Sequence, residues 1–184
     1  MTETRKILDG AGVAADLDRI TREILASDGS TENLAIIGIR RRGVPIAERI
    51  AERIAKISGE APRVGTLDIT LYRDDLTLVA DQPLVHGTEI EFALDGMRVV
   101  LTDDVLYTGR TVRSAIDAVF ALGRPAKIEL AVLVDRGFRE LPIEANYVGQ
   151  RVKTERDQIV HVHLVEVDGS DLIEVVKPSK EGAA

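Results

Sequence analysis

Three short apolar runs, two of them leading through a turn into helical periodicity, constrain this chain more than any other feature. Leu34-Ala-Ile-Ile-Gly-Ile39 contains no polar side chain, and Arg98 to Thr102 and Lys127 to Val134 are almost as apolar. A strand without a polar face reads as one buried in a sheet covered on both sides. After the first run, Val44 to Ile57 places Ile46, Ile50, Ile54 and Ile57 at helical spacing; after the second, Thr111 to Leu122 does the same and is closed by Gly123 and Pro125. Strand, helix and strand in alternation predict an α/β fold, with a central, mainly parallel sheet flanked by helices.

The remaining segments are placed around that core. Ala14 to Leu25 carries Leu17, Ile20, Ile24 and Leu25 on one face and predicts an N-terminal helix. Val64 to Tyr72 alternates and predicts a strand, and Gln158 to Val167 predicts a late one. Arg73 to Glu91 has acids, glycine and proline without a sustained pattern, which in a compact chain suggests a functional mobile loop, part of it in a hairpin. The chain turns irregular after Arg136, and residues 177–184 are expected to fray.

With 184 residues the chain suits a single domain over 1–184, and 45% hydrophobic with 30% charged residues is the balance of a folded soluble protein. Six aromatics, three Tyr and three Phe with no Trp, leave an aliphatic core. The absence of cysteine rules out disulfides and thiolate metal sites. No run of 18 apolar residues occurs, so a cytoplasmic location is expected. A net charge of -7 argues against nonspecific affinity for nucleic acid while leaving room for a local basic face.

Chemistry concentrates in Thr102-Asp-Asp-Val-Leu-Tyr-Thr-Gly-Arg-Thr111, between the second apolar run and its helix. A helix start presents unpaired N–H groups and the positive end of the helix dipole, a setting for a phosphate. Gly109 permits a tight turn, and Thr108 and Thr111 add hydroxyls. Asp103 and Asp104 would repel a phosphate, so they must face another part of the same ligand, and ribose hydroxyls fit. The competing reading is an Asp and a Thr that merely cap a helix.

Val99 to Thr111 resembles the phosphoribosyl pyrophosphate signature of type I phosphoribosyltransferases. Gly38-Ile-Arg-Arg-Arg-Gly43, Leu67-Asp-Ile-Thr-Leu-Tyr-Arg-Asp-Asp75 and Leu133-Val-Asp-Arg-Gly-Phe-Arg-Glu-Leu-Pro142 extend the resemblance to the PyrR family, which joins uracil phosphoribosyltransferase activity to control of pyrimidine operons. The resemblance implies the type I phosphoribosyltransferase fold and conversion of uracil and phosphoribosyl pyrophosphate to UMP and pyrophosphate, with Mg2+ accompanying the pyrophosphate. It also implies binding of UMP or UTP and of pyrimidine-operon leader mRNA to favour transcription attenuation, and a homodimer or higher homo-oligomer.

Carried onto this chain, the resemblance gives Asp103 and Asp104 the ribose hydroxyls and the catalytic stabilisation of a sugar cation. Arg41 and Arg42 would cradle pyrophosphate, their alternative being a solvated helix entry. Tyr107, Thr108, Gly109, Arg110 and Thr111 would hold the 5′-phosphate, with Arg110 pointing outward, and Val105 and Leu106 before them would belong to the same substrate-binding segment. Arg136 and Val160 would face the base, although Asp135 and Arg136 also read as a surface ion pair. The loop beginning at Tyr72, Arg73, Asp74 and Asp75 would close over the substrate. No fixed protein ligand for the metal is assigned.

Two departures bear on RNA. The family motif commonly has His where Phe138 stands and Lys where Gln150 stands, and Asp18 adds an acid to the first helix. Arg19, Arg22, Arg139, Arg151 and Lys153 are the basic candidates that are left. Two alternatives stay open: a nucleotide-sensing RNA-binding regulator with little catalysis, and a type I transferase for another base. His161 and His163 share a strand face without an evident third metal ligand. Neither a P-loop nor a Rossmann glycine motif is present, and Ser114 lacks a triad context.

Overall fold

A computed structural model describes residues 3–28, 30–70 and 87–178. The elements in chain order are β1 (Glu3–Asp9), α1 (Gly10–Asp28), β2 (Leu34–Ile39), α2 (Gly43–Ser58), β3 (Arg63–Leu67), β4 (Arg98–Leu106), α3 (Arg110–Leu122), β5 (Lys127–Asp135), β6 (Tyr147–Arg151), β7 (Ile159–His163), α4 (Val165–Asp168) and β8 (Leu172–Lys177). The central sheet has the order β3-β2-β4-β5-β6, with every neighbouring pair parallel. A smaller antiparallel sheet has the order β1-β8-β7.

The apolar runs are strands because both faces are covered. Successive side chains of β2 point to opposite sides: Ile36 joins a core with Leu17, Ile20 and Ile24 of α1 and Ile46, Ile50 and Ile54 of α2. Its neighbours Ala35 and Ile37 join a second core with Val112, Ala115, Ala118 and Val119 of α3. Full burial of one such aliphatic side chain contributes roughly 1.5–3 kcal/mol, so the helical stripes hold α1, α2 and α3 to the sheet. The small sheet closes over the first of these cores through Val160, Val162, Ile173 and Val175.

The mainly parallel α/β expectation is met, with shifts at element ends. The N-terminal helix is longer than Ala14 to Leu25, since Asp9 Oδ1 accepts from Gly12 N and so caps its first turn. Ile57 is 56% exposed: in the last turn of α2 it reaches a small surface cleft and leaves the core to Ile46, Ile50 and Ile54. β3 stops at Leu67 because Asp68 turns the chain, its Oδ1 accepting from Thr70 N at 2.9 Å and Thr70 Oγ1 at 2.6 Å. Glu89 returns to pair with Thr66 in an isolated antiparallel bridge, which is as much of a hairpin as the described residues contain. Residues 71–86 lie outside them, and with them the end of the strand expected to reach Tyr72.

Other boundaries differ for longer-range reasons. β4 continues past Thr102 to Leu106 because β5 offers Val132, Val134 and Asp135 as partners for Asp103, Val105 and Leu106. The late strand is only Ile159–His163, since Leu164 N bonds Asp168 Oδ2 and starts α4. β1, β6 and β8 carry no apolar run and pair only because the fold brings partners to them. Lys177 is the last residue of β8 rather than the start of a frayed tail, and its Nζ pairs with Glu155 and Asp157. Residues 179–184 lie outside the described part.

One close approach fixes how α2 meets β4. A Cβ on Gly43 would lie 2.2 Å from Thr102 O, and Thr102 Oγ1 donates to Gly43 O at 2.8 Å. Neither contacting atom is a mobile side-chain end, so Gly43→Ala must push the start of α2 off the sheet. We expect a loss of roughly 2–4 kcal/mol in chemical denaturation; a midpoint unchanged from wild type would show that this approach is not needed.

Candidate functional site

In a parallel sheet the loops following the strands meet at its carboxyl edge, and the strand ends here build two clefts. The first, of about 330 Å3, is lined by Arg40, Arg41, Arg42, Asp68, Ile69, Thr70, Asp103, Asp104, Val105 and Thr111. It lies where β2, β3 and β4 end and where α2 and α3 begin. The second, of about 640 Å3, lies at the ends of β5 and β6, between residues 135–139 and 151–154.

Asp103 and Asp104 sit within the last turns of the β4 ladder rather than in the loop after it. Their own carboxylates satisfy successive backbone donors, with Asp104 N on Asp103 Oδ1 at 2.9 Å and Val105 N on Asp104 Oδ1 at 2.8 Å. Asp103 is 8% exposed. Burial raises its pKa well above the ordinary carboxylate range, and the adjacent Asp104 charge adds to the rise. Opposite them, Arg40 N donates to Leu67 O at 2.9 Å, the Arg40–Arg41 peptide is cis, and the turn enters α2 at Gly43. Arg41 is exposed on the cleft wall. Arg42 also lines the cleft, but its guanidinium is held by Asp168, Nε at 3.1 Å and Nη2 at 2.8 Å. Arg42 and the N–H of Leu164 together depress Asp168 to about 2.

The turn before α3 is shaped by a glycine. Gly109 is the N-cap with φ of 92° and makes no side-chain cap bond, so capping by an Asp or Thr does not explain the motif. Thr108 Oγ1 accepts only a long 3.4 Å bond from Arg110 N. Leu106 is buried, whereas Tyr107 and Thr108 are partly exposed. Arg110 points outward to Glu140, Nε to Oε2 at 2.8 Å, with its side chain 56% exposed. Thr111, the second residue of α3, reaches the first cleft.

On the other cleft, Asp135 pairs with Arg139 at 2.6 Å and not with Arg136, because Arg136 turns inward. Arg136 lies with Cζ 4.2 Å above the Tyr107 ring and donates Nη2 to Glu155 O at 3.1 Å; its buried Nε has no partner among the described residues. Phe138 meets Tyr107 edge-on, with centroids 6.2 Å apart, and Arg156 lies 5.3 Å above its ring. Val160 is packed in the hydrophobic core with Val134 and Val162 and lines neither cleft. Tyr72, Arg73, Asp74 and Asp75 lie outside the described residues.

The basic candidates differ in how they are engaged. Arg19, with its side chain 45% exposed, donates to Val148 O and Gly149 O and bridges Asp16 and Glu23. Gln150 joins the same network through Asp16, and Asp18 is engaged by Arg53. Arg139 is likewise committed to backbone carbonyls. Arg22 is exposed beside Arg53 and Lys56, whereas Arg151 and Lys153 are exposed at the larger cleft. His161 and His163 stack at 6.1 Å and His163 meets Glu174, but among the described residues no cluster of three or more possible metal ligands exists.

Sequence reasoning passed over Asp68 and Thr70, which line the first cleft beside the carboxylates. Their signal was an Asp and a Thr two residues apart immediately after a strand, a side-chain turn at the carboxyl edge. The alternation that suggested a longer strand concealed it.

Comparison with known proteins agrees with this geometry. The family described as phosphoribosyl transferase domain matches residues 3–168. The chain is 53% identical to the bifunctional protein PyrR of Pelotomaculum thermopropionicum over 178 residues, covering 97% of this chain and 98% of that protein. It is 53% identical to the PyrR of Deinococcus radiodurans over 173 residues, 94% of each chain, and 55% identical to that of Thermus aquaticus over 167 residues, 91% of each. Among solved structures, a hypoxanthine phosphoribosyltransferase from Trypanosoma cruzi superposes with a TM-score of 0.71 at 15% identity, covering 95% of this chain and 97% of that one. One from Staphylococcus aureus gives 0.69 at 19%, covering 95% and 93%. At such identities these structures speak for the fold alone.

Proposed function

The chain belongs to the phosphoribosyl transferase domain family and, within it, to the bifunctional PyrR proteins, and from that premise we propose that it joins uracil to phosphoribosyl pyrophosphate, giving UMP and pyrophosphate. The observation that carries this reading is the first cleft, which brings Asp103 and Asp104 to face the Arg40–Arg42 turn, beside the start of α3.

In this reading one domain spans the chain. The C–O bond between ribose C1′ and pyrophosphate breaks as the uracil N1–C1′ bond forms, and N1 loses its proton. Positive charge builds on the sugar, so fixed negative charge beside it lowers the barrier. Asp103 and Asp104 supply that charge while accepting the ribose hydroxyls. The backbone of Tyr107 to Thr111, where α3 begins, receives the 5′-phosphate. Arg41, together with the N–H groups of the turn into α2, takes the departing pyrophosphate; Arg42 contributes to the extent that Asp168 yields it. Arg136, stacked on Tyr107, limits the base side.

Asp103 and Asp104 offer the cleft hard carboxylate oxygens, which would suit a Mg2+ ion arriving with the pyrophosphate. When bound, the ion neutralises the leaving pyrophosphate. Assaying a panel of bases with phosphoribosyl pyrophosphate tests the reading. Uracil is expected to react at least tenfold better than hypoxanthine, guanine or adenine; a preferred purine, or no nucleotide product, would overturn it.

The relatives are bifunctional PyrR proteins, which favours a second role, UMP- or UTP-dependent binding of pyrimidine-operon leader mRNA. Arg19, Arg22, Arg151 and Lys153 are exposed among its basic candidates, and Arg139 is half-buried. Among the described residues no helix is long and apolar enough to cross a membrane; a cytoplasmic homodimer or larger homo-oligomer is part of the proposal.

A further inference from the structure

We infer that Arg139 is a positioning residue that sets the phosphate-binding turn against the base-side segment. The inference rests on the transferase reading and refines it. A turn that binds an anion through its N–H groups must have its carbonyls tied back, or the donors will not hold their aim. Gly109 gives the turn its shape without a side-chain cap, so the restraint must come from elsewhere.

It comes from the segment after β5. Arg139 Nη1 donates to Tyr107 O at 2.7 Å and, more weakly, to Leu106 O at 3.4 Å, where β4 leaves the sheet and the turn begins. The same guanidinium donates Nε to Ile143 O at 2.9 Å and Nη1 to Gly137 O at 3.2 Å, and Nη2 meets Asp135 Oδ2 at 2.6 Å. The next residues continue the restraint, Glu140 N and Leu141 N donating to Thr108 O at 2.9 and 3.2 Å. Asp135 in turn accepts from Gly137 N, so one side chain links the end of β4, the turn, and the segment that carries Arg136.

A planar fork with fixed donor directions can serve these acceptors together, whereas an ammonium of similar reach cannot. Arg139→Lys should therefore retain the pairing with Asp135 and lose the carbonyl tie. Arg139 has its side chain 20% exposed and spends its donors inward, which argues for this role in preference to an RNA contact.

The test measures phosphoribosyl pyrophosphate affinity by calorimetry in Mg2+ buffer for wild type, Arg139→Met and Arg139→Lys, together with kcat, both KM values and thermal melts. Misplacement of a binding group by about 1 Å costs about 100-fold, so Arg139→Met should weaken phosphoribosyl pyrophosphate by roughly 10- to 100-fold. Arg139→Lys should recover most of the thermal midpoint but little of that affinity, a split that a merely structural arginine would not give. Affinity within twofold of wild type in both variants would overturn the inference, as would a loss in Arg139→Lys that follows its melting temperature. Loss of leader RNA binding with phosphoribosyl pyrophosphate affinity intact would also overturn it. If wild type binds phosphoribosyl pyrophosphate but does not consume uracil, the transferase reading fails while the affinity ratios still decide this one. If wild type binds no phosphoribosyl pyrophosphate, both fall.

Discussion

Replacing Asp103 and Asp104 together with Asn is expected to lower UMP formation by at least about 1000-fold, because preorganised charge facing a developing charge is worth about 100- to 1000-fold per group. The amides keep the shape and the acceptor oxygens on which Asp104 N and Val105 N rely, so the far-ultraviolet circular dichroism should not change. Steady-state assay of the double variant decides the matter, and full activity would remove the carboxylates from the mechanism.

The Asp103→Asn change alone should stabilise the protein. The pKa of Asp103 is raised in the folded state by burial and by Asp104, so ionising it to carry the catalytic charge costs the folded chain stability that the protonated form keeps. Stability conferred by that proton is present at low pH and is lost as pH rises through the folded pKa. Asn has no such dependence. Asp103→Asn should therefore melt higher than wild type at neutral pH, by about 0.5–2 kcal/mol, the usual gain when a functional strain is removed. A pH series of melts in which the two curves converge toward acid checks the sign. Stability given up at a site in exchange for charge is the expected signature of a catalytic pair.

Truncating Glu129 to Ala is expected to cost about 3–5 kcal/mol, the penalty for leaving one partner of a buried ion pair uncompensated. Arg98, Glu129 and Tyr147 are 5%, 3% and 6% exposed. Arg98 Nε meets Glu129 Oε2 at 2.6 Å, its Nη2 donates to Ile24 O and Tyr147 Oη, and Tyr147 Oη donates to Glu129 Oε1 at 3.1 Å. Burial pushes the Glu129 carboxyl up, but Lys127 and Arg98 outweigh it and hold it below its usual value. Arg98 Nη1 is already buried without a partner among the described residues, so losing Glu129 leaves a charge with little compensation. A loss of that size lowers the melting temperature by roughly 6–20 °C in a chain of this length.

The complementary variant separates charge from shape. Arg98→Met with Glu129→Leu and Tyr147→Phe should melt near wild type, since apolar replacement of a whole buried network is often neutral or better. Activity per folded molecule should survive in both variants. Arg98 begins β4 and Asp103 is five residues further along, about 16 Å at strand rise. A single variant within 1 kcal/mol of wild type would show that the network carries little of the stability.

Much of this was legible because it is local. β2, β5, α2 and α3 follow from side-chain period, and the tight turn after β4 from a glycine beside hydroxyls, all within a few residues. The carboxylate pair was found for the same reason: Asp103, Asp104 and the turn belong to one crossover. β1, β6 and β8 were not legible, since β1 is an exposed strand that exists by pairing with β8 at the other end of the chain, and Gly149 of β6 lets its backbone approach Leu133 O. Period and turn chemistry cannot report such partners.

The parallel core therefore follows from the chain's own pattern, and so does the placing of a carboxylate pair and a glycine turn where β4 gives way to α3. Tertiary structure alone decided how the arginines are used: Arg19 and Arg139 serve backbone carbonyls, Arg42 is shared with Asp168, and Arg136 is stacked on Tyr107. An arginine has five donors and a long reach, so its role is set by whichever acceptors the fold brings near it, and no spacing along the chain records which they are.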